Sequence, residues 1–222
     1  MTENYLGPTV VGSFDCFGEV WTECLRRIME SGRDVRDGDT QLRELLNVSL
    51  SATRCCADEF IDLGASADRI ELMHRKYHSL ETVPPYTFSY GSLFRQHEGV
   101  DQIAWLISHL REKPETKSAT IGFHRPGSAD LSCVSLLDCK IRSHALHMNV
   151  VFRSQNVFDS QPGNVLALAK FQLEIANALG VAVGQLTLHV LSAHIYHQDF
   201  ARVKDILNHH DQQCRNFTEE AR

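Results

Sequence analysis

With 222 residues, 43% hydrophobic and 23% charged, the chain has the composition of one globular domain, and no Pro-, Gly- or Ser-rich linker divides it. A formal charge of −6 excludes the basic footprint by which proteins hold nucleic-acid polymers, so any anionic ligand must be met by a local group of Arg and Lys. No apolar run approaches the ~20 residues of a membrane span, and Met1-Thr2-Glu3-Asn4 has neither the basic nor the apolar block of a signal peptide, which predicts a cytoplasmic protein.

Taken in chain order, Val20, Trp21, Cys24, Leu25 and Ile28 recur at helical spacing and Gly32 follows as a stop, which predicts a helix over 17–31. The run Arg33-Asp34-Val35-Arg36-Asp37-Gly38-Asp39 reads as a charged turn, either a solvated connection or a phosphate contact through its arginines. A strand is expected over 45–50. Ile70, Met73 and Tyr77 predict a helix over 67–80, ended by Pro84-Pro85, and Val100, Ile103, Ala104, Ile107 and Leu110 another over 99–112. Segments 119–123, 139–145 and 147–152 read as strands. Residues 164–179 are apolar almost all round and stop at Gly180, the pattern of a helix buried at the centre. A strand over 185–196 and a helix over 200–210 follow, the latter with Val203, Ile206 and Leu207 inward. This order favours an α+β sandwich with a mixed β-sheet over a regular βαβ alternation.

The seven cysteines are odd in number and form no C-x-x-C, so reduced thiols are expected and a zinc knuckle is not. The 12 histidines include no H-E-x-x-H, and neither a glycine-rich phosphate loop nor G-x-S-x-G occurs. Four groups could carry chemistry, each with a plainer alternative. Cys139, flanked by Asp138, Lys140 and Arg142, is either core packing or a thiol at a cleft activated by a nearby cation. Arg153-Ser154 ends an apolar strand, where the guanidinium serves either a salt bridge or a phosphate. Asn164 opens the central helix after Pro162-Gly163, as a cap or as an amide reading a base edge. His194 and Tyr196 lie two apart on a strand and face one side, in the core or towards a ligand.

In this order and spacing, Tyr90-Gly91 with Arg95, Asp101-Gln102-Ile103, Cys139, Arg153-Ser154, Asn164 and His194-Ile195-Tyr196 resemble the thymidylate synthase and pyrimidine nucleotide hydroxymethylase superfamily. The match covers about residues 21–200 and is most similar to its compact archaeal-type branch. The resemblance implies a thymidylate synthase-like domain over 1–222 that moves a methyl or hydroxymethyl unit from 5,10-methylenetetrahydrofolate to C5 of a pyrimidine nucleoside monophosphate. In that scheme Cys139 adds to C6 of the base and Tyr90, through water, helps remove the C5 proton. Arg36, Arg153 and Ser154 hold phosphate, Asn164 orients the base and His194 and Tyr196 bind the sugar. The resemblance also implies a homodimer joined back to back through its sheets, with Lys117 reaching the partner's phosphate. The alternative is a relative that binds a nucleotide without folate chemistry.

The sequence departs from the family's pattern in both halves of the site, and more in the folate half. Lys117-Ser118 stands where the family has paired arginines, and Asn156 where an aspartate meets the pterin. Asp138 replaces a proline before the cysteine and Ser192 an acidic residue, while Glu71 or Glu81 would have to serve as the catalytic glutamate. Asn164, in place of a carboxylate, favours uracil over cytosine.

Overall fold

The structure, a computed structural model, describes residues 9–125, 127 and 131–220, so the N-terminal residues 1–4 considered above lie outside it. Its elements run β1 (Thr9–Cys16), α1 (Phe17–Ser31), β2 (Arg33–Asp37), β3 (Thr40–Arg54), α2 (Ala57–Asp62), α3 (Ala67–His78), α4 (Tyr90–Arg95), α5 (Gln102–Glu112), β4 (Thr120–Gly122), β5 (Val134–Arg142), β6 (Ala145–Phe152), β7 (Gln155–Asn156), α6 (Gln161–Leu179), β8 (Ala182–Tyr196) and, after a single 3-10 turn, α7 (Phe200–Glu220).

The strands form one mixed sheet in the order β1-β3-β8-β6-β5-β4, with β2 added beside β3 and β7 beside β8. β3 and β8 are antiparallel, whereas β6 and β8 run parallel. This is the expected α+β sandwich. One sheet face is apolar: on β6, Leu146, Met148, Val150 and Phe152 are fully buried while the residues between them are partly open. Helix α6 covers that face, packed between the sheet and α3 and α5.

α6 is less uniformly apolar than its sequence implies. Leu173 is 49% exposed, and the buried Gln172 donates from Nε2 to the carbonyls of Leu146 (2.8 Å) and Gly184 (3.1 Å). One amide thus ties the helix to two neighbouring parallel strands. The helix ends at Gly180 in the left-handed conformation (φ 69°), as expected.

The boundaries that moved did so for identifiable reasons. The charged run 33–39 is no loop: it is β2 and a hairpin turn into β3, with Arg43 bonded to Asp34 across the pair (2.7 Å), and the 15 residues of β3 far exceed the expected strand because it pairs with β8 from Leu42 to Ala52. β5 and β6 form a hairpin around Ser143 and His144 (φ 50° and 59°), so the expected strand 139–145 overran a turn. Paired left-handed residues are the usual signature of a two-residue hairpin, but Gly and Asn, which advertise it, are absent here. α7 continues to Glu220, past the expected end at residue 210.

α4 shows what the Tyr90-Gly91-x-x-x-Arg95 spacing does. A Cβ on Gly91 would collide with the Ser79 carbonyl, so only glycine lets the helix start against the end of α3. Arg95, four residues on, bonds Glu174 of α6 (2.6 Å) and locks α4 to the central helix.

Gln172→Leu should lower stability by about 1–3 kcal/mol, since it strands buried carbonyls. Urea denaturation should show a lower midpoint with an unchanged slope; an unmoved midpoint would mean the amide ties nothing.

Candidate functional site

A cavity of about 840 Å³ opens where β6, β7 and β8 end, walled by α3, α4 and the first turn of α6. That volume lies towards the upper end of small-molecule sites. Tyr90, Arg36, Arg153, Ser154, Asn156, Asn164, His194 and Tyr196 all line it. Cys139 and Lys117 do not.

Cys139, the expected nucleophile, lies away from this cavity. It sits mid-strand on β5, is 0% exposed, and its backbone N–H bonds Ala119 (2.8 Å). Burial pushes its thiol up to about 12, a range in which thiolate is scarce at neutral pH. The polar neighbours that suggested a cleft point the other way: Lys140 and Asp138 pair with each other at 2.5 Å on the opposite strand face. The thiol in the cavity is Cys133, six residues earlier and roughly 20 Å along an extended chain.

The hairpin places Cys133 beside Arg153. The Arg153 N–H donates to the Cys133 carbonyl (2.8 Å), and Ser154 Oγ lies 3.9 Å from Cys133 Sγ. A β-bulge between Val134 and Leu136 shifts the register at this end of β5. The guanidinium is aligned by the carbonyls of Ser132 (3.1 Å) and Leu131 (3.0 Å) and by Ser154 Oγ (3.2 Å), and among the described residues no carboxylate pairs with it. A fork fixed by backbone acceptors keeps its charge for a ligand. Arg36, in contrast, is 67% exposed at the cavity rim and faces Asp39 at 3.6 Å.

The polar wall is neutral. Asn164 lies in the first turn of α6 but does not cap it; its side chain is buried and Oδ1 has no hydrogen-bond partner. His194 is likewise buried with Nδ1 unpartnered, and burial lowers its pKa, which keeps the imidazole uncharged. It packs edge-on against Tyr196, with ring centroids 5.1 Å apart, so the two rings share one face at the end of β8. Buried polar atoms in native folds are nearly always satisfied, and two orphans lining one cavity fit a ligand that satisfies them.

Asn156 is partly committed, its Oδ1 accepting from the Asp159 N–H (3.2 Å). Ser192 Oγ donates to Glu44 (2.6 Å), which also lines the cavity. Glu71 and Glu81 are exposed and outside it, as is Lys117 between α5 and β4. The cavity carboxylates are instead Asp37, Glu44, Asp159 and Asp199. Tyr90 is buried, its Oη accepting from the Cys133 N–H (3.1 Å), and burial raises its pKa so that it stays a neutral phenol.

Several cavity residues went unread in the sequence, Cys133 and Lys76 chief among them. Cys133 could have been found by counting back from Arg153 across the 143–144 turn. Lys76 falls three residues after Met73 on the inward stripe of α3, an odd place for a lysine, and it lines the cavity.

Most of the chain is similar to known proteins. The family model described as thymidylate synthase matches residues 73–219. A "Putative thymidylate synthase" of Methanothermobacter marburgensis is 28% identical over 216 residues, covering 88% of this chain and 96% of its own. Proteins of the same name from Methanothermobacter thermautotrophicus and Methanosarcina mazei are each 28% identical, covering 84% and 85% of this chain and 93% and 90% of their own.

Brief iodoacetamide treatment of the native protein, mapped by mass spectrometry, should modify Cys133 and spare Cys139, with both reacting in urea. Native labelling of Cys139 at a comparable rate would overturn the assignment of the thiol.

Proposed function

Because the chain belongs to the thymidylate synthase family, we propose that its cavity binds a pyrimidine nucleoside monophosphate and that Cys133 adds to C6 of the base to prepare C5 for one-carbon transfer. The carrying observation is the placement of Cys133 against Arg153 and Ser154 in an open cavity that the unpartnered Asn164 and His194 also line.

Arg153, already aligned and uncompensated, receives the phosphate, with Ser154 adding a hydroxyl and Arg36 a second cation at the rim. Asn164 meets the base edge: its free oxygen accepts from N3–H and its amide donates to O4, the pattern of uracil. His194 and Tyr196 face the sugar. Attack by the Cys133 sulfur forms the S–C6 bond and moves the C5–C6 electron pair to C5 and O4, which makes C5 a nucleophile. After C5 bonds to the incoming carbon, its proton leaves to a water held by the Tyr90 hydroxyl; the bond from that carbon to its carrier nitrogen would then break, hydride from the carrier (giving methyl) or water (giving hydroxymethyl) would complete the substituent, and loss of the Cys133 thiolate restores the C5–C6 double bond.

5,10-Methylenetetrahydrofolate, when bound, supplies the one-carbon unit. Room for it lies beside the nucleotide subsite, where Tyr86 offers a ring face, Arg69 and Arg202 offer cations, and the amide NH₂ of Asn156 remains to donate. The product at C5 is methyl or hydroxymethyl. We further propose that two copies join through the open sheet face, which exposes Leu191 (47%) and Val183 (43%), and that Lys117 serves the partner's cavity.

Tritium release from 5-labelled dUMP, UMP, dCMP and CMP with methylenetetrahydrofolate tests the reading. Release from a uracil nucleotide, lost in Cys133→Ala and kept in Cys139→Ala, is expected. No release from any of the four would overturn it, and nucleotide binding without release would mark a binding protein instead. Arg153→Ala should weaken nucleotide affinity ~10- to 100-fold, from the ~1.5–3 kcal/mol of a charged hydrogen bond; calorimetry showing unchanged affinity would move the phosphate subsite elsewhere.

A further inference from the structure

Lys76 is the one buried cation in this cavity that the scheme above leaves without a task. It is 6% exposed on the inner side of α3, and its Nζ lies 3.5 Å from the ring centroid of Tyr86, 4.1 Å from that of Tyr90 and 5.5 Å from that of Phe88. Among the described residues Nζ has neither a hydrogen bond nor a carboxylate partner. Ring faces return roughly 2 kcal/mol to a desolvated cation, less than the several kcal/mol that leaving water costs an ammonium. An ammonium so placed gains from an anion brought beside it and otherwise gives up its proton more readily.

The carboxylates lining the cavity are largely engaged elsewhere. Asp159 pairs with Arg69 (2.7 Å), Glu44 accepts from Ser192 and Asp199 faces Arg202 at 3.9 Å. Besides Asp37 on β2, the sulfur of Cys133 remains. Tyr90 joins the two groups, since its ring faces the Lys76 ammonium and its hydroxyl accepts from the Cys133 N–H (3.1 Å).

We propose that Lys76 is a positioning residue that acts through Cys133, its ammonium stabilising the thiolate that attacks the nucleotide. The proposal rests on reading Cys133 as the nucleophile. Arg153 alone is a poor counter-charge for that purpose, because a bound phosphate neutralises it at the moment the thiolate is needed. Lys76, to which the scheme assigns no phosphate, keeps its charge for the thiolate. The thiol proton leaves to solvent, the ammonium is unchanged, and no proton passes between the two.

The groups facing this pair fix the pH range. Burial lowers the Lys76 pKa to about 8, the Cys133 thiolate opposing that shift and Arg69 adding to it. On the other side, Cys133 meets Arg153 and the phenols of Tyr77, Tyr86, Tyr90 and Tyr196, which burial holds neutral. The ammonium is therefore present at pH 7 and fades as the pH passes 8.

The test is the pH dependence of Cys133 modification by iodoacetamide, a neutral reagent, followed by peptide mapping in wild type, Lys76→Met and Lys76→Arg. Lys76→Met should slow modification about tenfold at pH 7 and move the half-maximal rate up by about one pH unit. Lys76→Arg should restore most of the rate, while exposed Cys56 reacts equally in all three. Lys76→Gln carries the same comparison should methionine disturb the packing, with unlabelled Cys139 reporting an intact core. A Lys76→Met or Lys76→Gln profile that overlays the wild type overturns the proposal. Because modification is read without nucleotide or methylene donor, its outcome is independent of tritium release: a thiol that loses its pH shift in a protein releasing no tritium sinks the function and keeps the ion pair.

Discussion

The hydrogen bond from the Arg153 N–H to the Cys133 carbonyl, 2.8 Å long at the open end of the β5–β6 hairpin, is the constraint on which the cavity depends. It is a backbone bond, so it fixes the two chains regardless of where their side chains turn. The guanidinium then folds back onto the carbonyls of Leu131 and Ser132, just ahead of the cysteine, and the thiol is held beside a charge that the protein itself does not cancel. Main-chain carbonyls orient an arginine without neutralising it, as a carboxylate would.

The rest of the fold keeps the facing wall still. Asn164 stands in the first turn of a 19-residue helix that Gln172 pins to two strands and that Arg95 pins to α4. His194 and Tyr196 end the long strand β8, paired with β3 over most of its length. Unsatisfied amides and imidazoles tend to collapse onto any available partner. Here they stay open because rigid elements hold them apart, which is how a site is preorganised at the expense of local stability.

The fold was legible because its signals are cumulative. Alternation on β6 and helical spacing in α1, α3 and α5 each repeat several times, so a wrong residue at one end does not change the element. The nucleophile rested on a single residue and its neighbours, and those misled. Asp138 and Lys140 flank Cys139 on the strand's other face and satisfy each other, so their polarity says nothing about the thiol between them. What located the thiol was the register, set by a turn at Ser143 and His144 with neither glycine nor asparagine to mark it, and a bulge that no local pattern reveals. Arg153, Asn164, His194 and Tyr196 reach the cavity at element ends, where an apolar run stops and a polar group follows, a change visible in sequence. Lys76 was hidden by the opposite cause: it sits within an apolar stripe, where lysine is usually a helix-edge residue reaching for water.

Charge and hydrogen bonding occupy different parts of this cavity, and that separation bears on selectivity. In the proposed function the cations, Arg36, Arg153 and Lys76, would act on groups that every nucleotide presents or that the protein supplies, and so would contribute affinity and reactivity without distinguishing bases. Asn164 and His194 are uncharged, and burial keeps the imidazole so. A neutral amide facing a heterocycle distinguishes donor from acceptor, because a mismatched edge leaves two buried polar groups unpaired instead of one. A carboxylate at position 164 would bring its own desolvation cost, next to a helix N-terminus that favours the charge and a cytosine edge that needs it. In the proposed function asparagine there would match a base whose N3 carries hydrogen, and discrimination would rest on the geometry of one side chain held by the helix in whose first turn it lies.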